Sequence, residues 1–234
     1  MMNENITIFD KRLNNKTIFY AIDLWKKDRK KCIKTFGHIT YWDTSEVTNM
    51  ENLFMGLYTF NEKLKWDTSN VTNMSRMFMD CYFYNQDIDF NTEKVTDMSY
   101  MFFHCNSLNT ELNFNTKNLE NCEYMFYYCI FFNKKLNWKV SNVTNMKCMF
   151  LKCYNFNQEL DWDTSKVTNM SYMFSHCMNL NSKIKLKTDN VKDINFIFYN
   201  CLSFNKNLDS MSEKSLYNSS MYKNSLLEKV SDIL

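Results

Sequence analysis

Nine cysteines and three histidines carry the most reactive chemistry in this chain, and their spacing decides what they can do. Six of the thiols, Cys81, Cys105, Cys129, Cys153, Cys177 and Cys201, recur every 24 residues. Thiols repeated in this way could bridge or hold a metal, but no Cys-x-x-Cys pair is present to begin a zinc site. If successive repeats stack as paired strands about 4.8 Å apart, the Cα spacing suits a disulfide. Parallel side chains in register, however, do not meet its torsional geometry. The reading is free, buried thiols acting as small apolar groups. Cys122, standing where other repeats carry Met, supports it. Cys32 and Cys148 are expected to be the more exposed thiols. His104 and His176 share a repeat position but lie three repeats apart, about 14 Å on the strand spacing, too far to share one ion. The recurrent Asp43, Asp67 and Asp163 become Asn91, Asn115, Lys139 and Lys187 elsewhere. That pattern fits turn formation and not a repeated calcium site. No Ser/His/Asp set stands out, so the expectation is a non-enzyme with no cofactor and no metal.

What must position these residues is a repeat. Phe54, Phe78, Phe102, Phe126, Phe150, Phe174 and Phe198 are successively 24 apart. So are Trp42, Trp66, Phe90, Phe114, Trp138, Trp162 and Leu186. Asn61, Asn85, Asn109, Asn133, Asn157, Asn181 and Asn205 keep the same offset without exception. Seven units run from 42 to 209 without insertion or deletion. A fixed period of this length reads as a solenoid, in which one coil cannot bury its apolar face alone and stacked neighbours bury it together. Within a unit, Met74, Met77, Phe78 and Cys81 follow i, i+3, i+4, i+7, which predicts a short helix or 3-10 turn. Leu64, Trp66 and Thr68 alternate, which predicts a short strand. The Asn series is expected to sit inside and to bond the backbone of its own coil and the next.

Composition agrees. The 234 residues hold 28 Lys+Arg against 26 Asp+Glu, a net charge of +2, which argues against a dedicated nucleic-acid binder. Hydrophobic residues are 45% and aromatics 17%, too many for a disordered chain. Two glycines and no proline leave the turns to Asp, Thr, Ser and Asn, whose side-chain oxygens can bond nearby backbone. No stretch approaches the roughly 18 apolar residues of a membrane span, and residues 1–16 show no apolar signal core. The expectation is no membrane span, no classical leader and a reducing compartment.

The segment Trp66-Asp67-Thr68-Ser69-Asn70-Val71-Thr72-Asn73-Met74-Ser75-Arg76-Met77-Phe78, followed by Cys81 and Asn85, resembles the repeat of the BspA-type leucine-rich-repeat family. Trp162 to Phe174 is its best second copy. The resemblance covers 42–209 and implies a leucine-rich-repeat-like α/β solenoid with roles in adhesion or protein recognition and no common catalytic residue. Such repeats occur in bacterial surface proteins, mycoplasma lipoproteins, protists and large DNA viruses, and the Asn/Lys-rich composition resembles coding from an AT-rich genome. Without a lipoprotein or secretion signal, an intracellular or viral setting is expected.

Three regions follow: 1–41 as an N-terminal helical cap, 42–209 as the solenoid, and 210–234 as a C-terminal helical cap or tail. Thr17 to Cys32 places Ile18, Ala21, Ile22 and Trp25 on one helical face, with Gly37 as the stop. Leu226, Leu227, Val230, Ile233 and Leu234 outline an amphipathic helix that either caps the last coil or mediates self-association. Recognition on a solenoid uses positions that vary from coil to coil. The candidate partner-binding residues are Arg76, Tyr100, Tyr124, Tyr172 and Phe196 on one row, with Phe103 and Tyr127 on the next. A non-catalytic protein-interaction module follows, its partner a protein of unknown identity. The alternative is a structural brick of a virion or surface layer that associates through its ends.

Overall fold

The computed structural model describes residues 12–206 together with 208, 211, 212, 220, 221 and 223–225. The C-terminal helix expected over 226–234 lies outside them. The order of elements is β1 (Arg12–Asn14), α1 (Thr17–Lys27), α2 (Arg29–Phe36), a 3-10 turn (Ile39–Tyr41), β2 (Asp43–Glu46), β3 (Leu160–Trp162) and β4 (Ile184–Leu186). Over residues 42–206 the chain is a repeat solenoid whose neighbouring coils pair in parallel, 24 residues apart. Bridges link Asn49 to Asn73, Asn73 to Asp97, and so on to Asp193.

The core is built of rows. Each Phe of the main series is fully buried and stacks on the next, from Phe54 on Phe78 at 5.2 Å between centroids to Phe174 on Phe198 at 5.5 Å. A second ring packs on most of them from within the same coil, as Phe60 does on Phe54 at 4.2 Å and Phe204 on Phe198 at 4.3 Å. Trp138 and Trp162 stack at 6.4 Å, and each indole N–H donates to a carbonyl of the preceding coil, Leu112 or Leu136. Offset-stacked rings add to the area they bury, which is why identical side chains favour one register over a slip.

The backbone between these rows departs from the pattern-based expectation. Among the described residues no helix is formed after Tyr41. Where i, i+3, i+4, i+7 spacing suggested a short helix or 3-10 turn, the chain makes overlapping i, i+3 turns and no continuous helix: Met77 N–H to Met74 O, Met79 to Arg76 and Cys81 to Phe78. The remaining N–H groups go forward instead, Met74, Arg76, Phe78 and Asp80 donating to Asp97, Ser99, Met101 and Phe103 of the next coil at 2.8–2.9 Å. A helix would consume those donors internally, so the stack and the helix compete for the same groups. The turns are possible because Arg76 and Asp80 adopt left-handed φ of 54° and 62°, as do their equivalents in the other coils. The strand-side stretches keep the predicted burial alternation, Leu64 in, Lys65 out, Trp66 in. Regular pairing is limited there to β3 with β4, in the register Leu160–Ile184 to Trp162–Leu186.

The N-terminal helical run is two helices. Asp28 leaves helical geometry (φ −148°, ψ 85°), and its carboxylate accepts the Lys31 N–H at 2.9 Å, capping α2. Gly37, at φ 78°, ends α2. Ile18, Ala21, Ile22 and Trp25 are buried against the first coil, and Trp25 meets Trp42 edge-on at 6.1 Å. At the other end, Phe198 and Asn200 donate to Met221 and Lys223 as in every earlier coil. Asn224 repeats the left-handed φ of Asn200, so the described residues 220, 221 and 223–225 continue the bonding pattern beyond 209.

Candidate interaction surface

The row proposed for recognition sits on the left-handed positions themselves: Arg76, Tyr100, Tyr124, Cys148, Tyr172 and Phe196 all have φ between 54° and 59°. A bulky side chain there costs about 1–2 kcal/mol of backbone strain, and the stacking of coils holds it. Tyr100 and Tyr124 stack at 4.9 Å, and Tyr172 and Phe196 at 5.0 Å. The Arg76 guanidinium lies 4.9 Å over Tyr100, and Lys147 lies 5.9 Å from the Tyr124 ring centre. Arg76 also pairs with Glu51 at 3.4 Å. On the next row Phe103 and Tyr127 stack at 4.5 Å, with Lys152 over both Tyr127 and Tyr128.

Exposure divides this flank. Tyr172 is 37% exposed, whereas Arg76, Tyr100, Phe103, Tyr124, Tyr127 and Phe196 are half-buried. Cys148 is buried and separates the Tyr100–Tyr124 stack from the Tyr172–Phe196 stack, so the row is two patches and not one strip. Burial first, and then a hydrogen bond with the Cys148 thiol, pushes the Tyr124 phenol above its usual range. Burial does the same to Tyr100.

More exposed aromatic side chains lie elsewhere. Tyr41 is 70% exposed, and within the repeats Phe83 is 59% exposed, Phe131 56% and Tyr58 55%. Phe83 and Phe131 share a repeat position with Thr59, Ser107, Asn155, Asn179 and Ser203. The signal for it was in the sequence, because this position swings between aromatic and small polar residues while the position after it stays large and apolar or aromatic.

The remaining candidate residues are structural. Each cysteine of the main series is buried, and its thiol donates to the Phe carbonyl 27 residues earlier, from Cys81 to Phe54 O (3.2 Å) to Cys201 to Phe174 O (2.9 Å). Burial pushes the Cys81 and Cys201 thiols up to about 12. Cys32 and Cys148, expected to be more exposed, are buried too: α1 and α2 enclose Cys32, whose thiol donates to Ala21 O at 3.3 Å. The asparagines expected inside are exposed or half-buried. Their side-chain oxygens accept the backbone N–H of the next in line, Asn61 from Asn85 at 3.0 Å and Asn157 from Asn181 at 2.8 Å. They stay at the surface because one lone pair completes the bond and the rest of the amide is solvated.

Two further rows were not singled out from sequence. Asn49, Asn73, Asp97, Asn121, Asn145, Asn169 and Asp193 each accept the N–H two residues on, forming Asx turns at the bridge positions. Buried threonines at 44, 68, 92, 116 and 164 donate to a carbonyl of the next coil at 2.8–3.2 Å. The histidines are not brought together: His104 pairs with Asp80 at 2.9 Å, and His176 meets the Ser175 hydroxyl at 2.9 Å. On the strand side an open cleft of about 500 Å³ is lined by polar groups including Asp87, Asp89, Glu111 and Lys134. Among the described residues no three His, Cys, Asp or Glu converge as metal ligands, and no helix is long and apolar enough to cross a membrane.

Comparison with known proteins follows this geometry. The chain is similar in structure to a leucine-rich repeat protein from Eubacterium ventriosum, with 22% identity and a TM-score of 0.40. The match covers 78% of this chain and 41% of that protein, so the chain spans less than half the length of its neighbour. No curated protein matches it. The family described as "Mycoplasma protein of unknown function, DUF285" matches residues 25–137 and 132–231. With its 24-residue units inside that span, the chain belongs to this BspA-like repeat family.

Proposed function

We propose that the chain is a non-catalytic protein-interaction module that takes a protein partner along the flank bearing Arg76, Tyr100, Tyr124, Tyr172, Phe196, Phe103 and Tyr127. Its architecture on this reading is seven 24-residue coils over 42–209 between caps at 1–41 and 210–234. The observation that carries it is the pair of aromatic stacks, Tyr100–Tyr124 and Tyr172–Phe196, on backbone that neighbouring coils lock in place. Rigid Tyr and Phe rings beside an Arg are what interface cores enrich, because little side-chain entropy remains to be lost on binding.

The test is a triple Tyr100→Ala, Tyr124→Ala, Tyr172→Ala variant, compared with the parent by cross-linking and co-purification from the native source. A folded variant that loses a partner recovered by the parent supports the reading. Unchanged recovery overturns it. A second reading, assembly through the ends, is favoured by Met221 and Lys223, whose carbonyls accept from Phe198 and Asn200 and continue the stack past the seventh unit. Light scattering on the full chain and on a version ending near Ser210 separates the two, since an end-assembling brick changes mass on truncation.

A further inference from the structure

Three consecutive coils carry the same outward rows where the turns give way to the strand side. Tyr84, Leu108 and Phe132 point into the core; Phe83, Ser107 and Phe131 before them, and Asn85, Asn109 and Asn133 after them, point out. Backbone bonds fix the register, because the N–H groups of Phe83, Ser107 and Phe131 donate to Tyr58, Tyr82 and Asn106 O at 3.0–3.4 Å. Phe83 and Phe131, 59% and 56% exposed, therefore stand two coils apart, about 10 Å at the parallel-strand spacing. Only the small Ser107 separates them. The asparagines of the adjoining row are pinned: Asn85 and Asn109 accept the backbone N–H of the next coil at 2.8 and 3.0 Å through Oδ1. Among the described residues nothing accepts from their Nδ2 groups, which leaves a row of fixed donors at the coil spacing. Asn85 and Asn109 also line the open cleft of about 500 Å³, as does Glu111, whose carboxylate has no partner among the described residues. Charges around the cleft cancel, Asp87, Asp89 and Glu111 standing against Lys63, Lys134 and Lys135.

We propose that this face binds a neutral, extended β-1,4-linked glycan laid across the coils over residues 83–87, 107–111 and 131–135. In such a glycan each ring is rotated by half a turn from the last, so every second ring shows the same face. That interval matches the two coils between Phe83 and Phe131. Each Phe stacks on the apolar C–H face of alternate sugar rings, and the gap at Ser107 admits the ring between them. The Asn85 and Asn109 amides donate to hydroxyl oxygens along the glycan's edge, and Glu111 accepts a hydroxyl proton. A polyanion or a cationic peptide gains little from a face whose charges cancel. An uncharged ligand uses both the ring spacing and the amide row.

The probes are cellotetraose and tetra-N-acetylchitotetraose, each titrated to millimolar concentration into the full ¹⁵N-labelled chain. The expected result is saturable amide shifts confined to residues 83–87, 107–111 and 131–135 with at least one of them. Maltotetraose, the same sugar as cellotetraose in a coiled α-1,4 linkage, should give none. Replacing both exposed rings, Phe83→Ala with Phe131→Ala, leaves the buried rows untouched and should weaken binding about tenfold or more. Phe83→Tyr, which keeps a ring, should bind as the parent does. Binding should survive about 1 M NaCl, where the screening length is about 3 Å. No saturable shift with either β-linked probe, shifts elsewhere, equal binding of maltotetraose, unchanged affinity in the double variant or loss of binding in salt overturns the proposal. The Tyr100, Tyr124 and Tyr172 variant should bind the glycan normally, so this face and the aromatic flank stand or fall separately.

Discussion

The side-chain oxygen of Asn15 accepts the N–H of Thr48 at 2.8 Å and that of Asn49 at 3.2 Å. Three coils further on, the Thr96 carbonyl accepts Glu120 and Asn121 at 2.9 and 3.2 Å, and after three more Thr168 accepts Lys192 and Asp193 at 2.8 and 3.3 Å. An amide side chain thus stands where a preceding coil would have offered a backbone carbonyl, and its Nδ2 also donates to the Thr48 hydroxyl at 2.8 Å. With β1 paired to β2 beside it, the N-terminal segment closes one flank of the first coil.

Asn15→Ala is therefore expected to destabilise the protein by about 1 kcal/mol, the net value of a lost hydrogen bond. Hydrogen exchange should accelerate at Thr48 and Asn49 while the amides of Thr144 and Thr168 keep their protection. Asn15→Asp, which keeps the acceptor, should retain most of that protection. Unchanged exchange at Thr48 in the Ala variant would remove the capping role.

Tyr84 is the fully buried ring in the position held by Phe60, Phe132, Phe156 and Phe204 in other coils, and among the described residues its hydroxyl has no hydrogen-bond partner. A buried, unpaired hydroxyl costs roughly 1–3 kcal/mol. Tyr84→Phe should raise the urea midpoint with an unchanged m-value, and a lowered midpoint would contradict the assignment.

Val140 interrupts the threonine row, so the Asp163 carbonyl lacks the side-chain donor that Thr116 gives to Lys139 at 2.9 Å. Val140→Thr is nearly isosteric and should gain about 1 kcal/mol by restoring that bond, and Thr116→Val should lose a similar amount. Equilibrium denaturation of both variants checks the pair of opposite signs.

Much of this was legible beforehand. The period, the inward rows and the pairing of coils 24 residues apart follow from which side chains recur. Of the short helix or 3-10 turn inferred from Met74, Met77, Phe78 and Cys81, the chain forms separate i, i+3 turns and no helix, because that spacing marks only which side chains face inward. A helix and a chain of overlapping turns satisfy it equally.

Stability should fall steeply in alkali. The thiols of Cys81 and Cys201 are raised to about 12 and that of Cys32 to about 11, from 9.0 when unfolded, with burial the leading cause in each. The folded chain keeps these protons while the unfolded chain releases them, so the contribution is complete below about pH 9 and is lost as pH rises toward 12. The urea midpoint should be flat from pH 7 to about 8.5 and then decline. Replacing Cys81 and Cys201 by Ala should make the decline shallower, and an identical slope would exclude the thiols as its source.

Sequence alone determined the 24-residue period, the identity of the buried rows and the role of cysteine as a small apolar group, because each depends on side-chain type recurring at one position. Tertiary structure alone decided the left-handed φ at Arg76, Tyr100 and Tyr124, the forward run of N–H donors and the substitution of Asn15 for a carbonyl. These depend on where each backbone N–H finds its acceptor. In this stack many of those acceptors lie in a neighbouring coil, before or after, so no local pattern of residues records them.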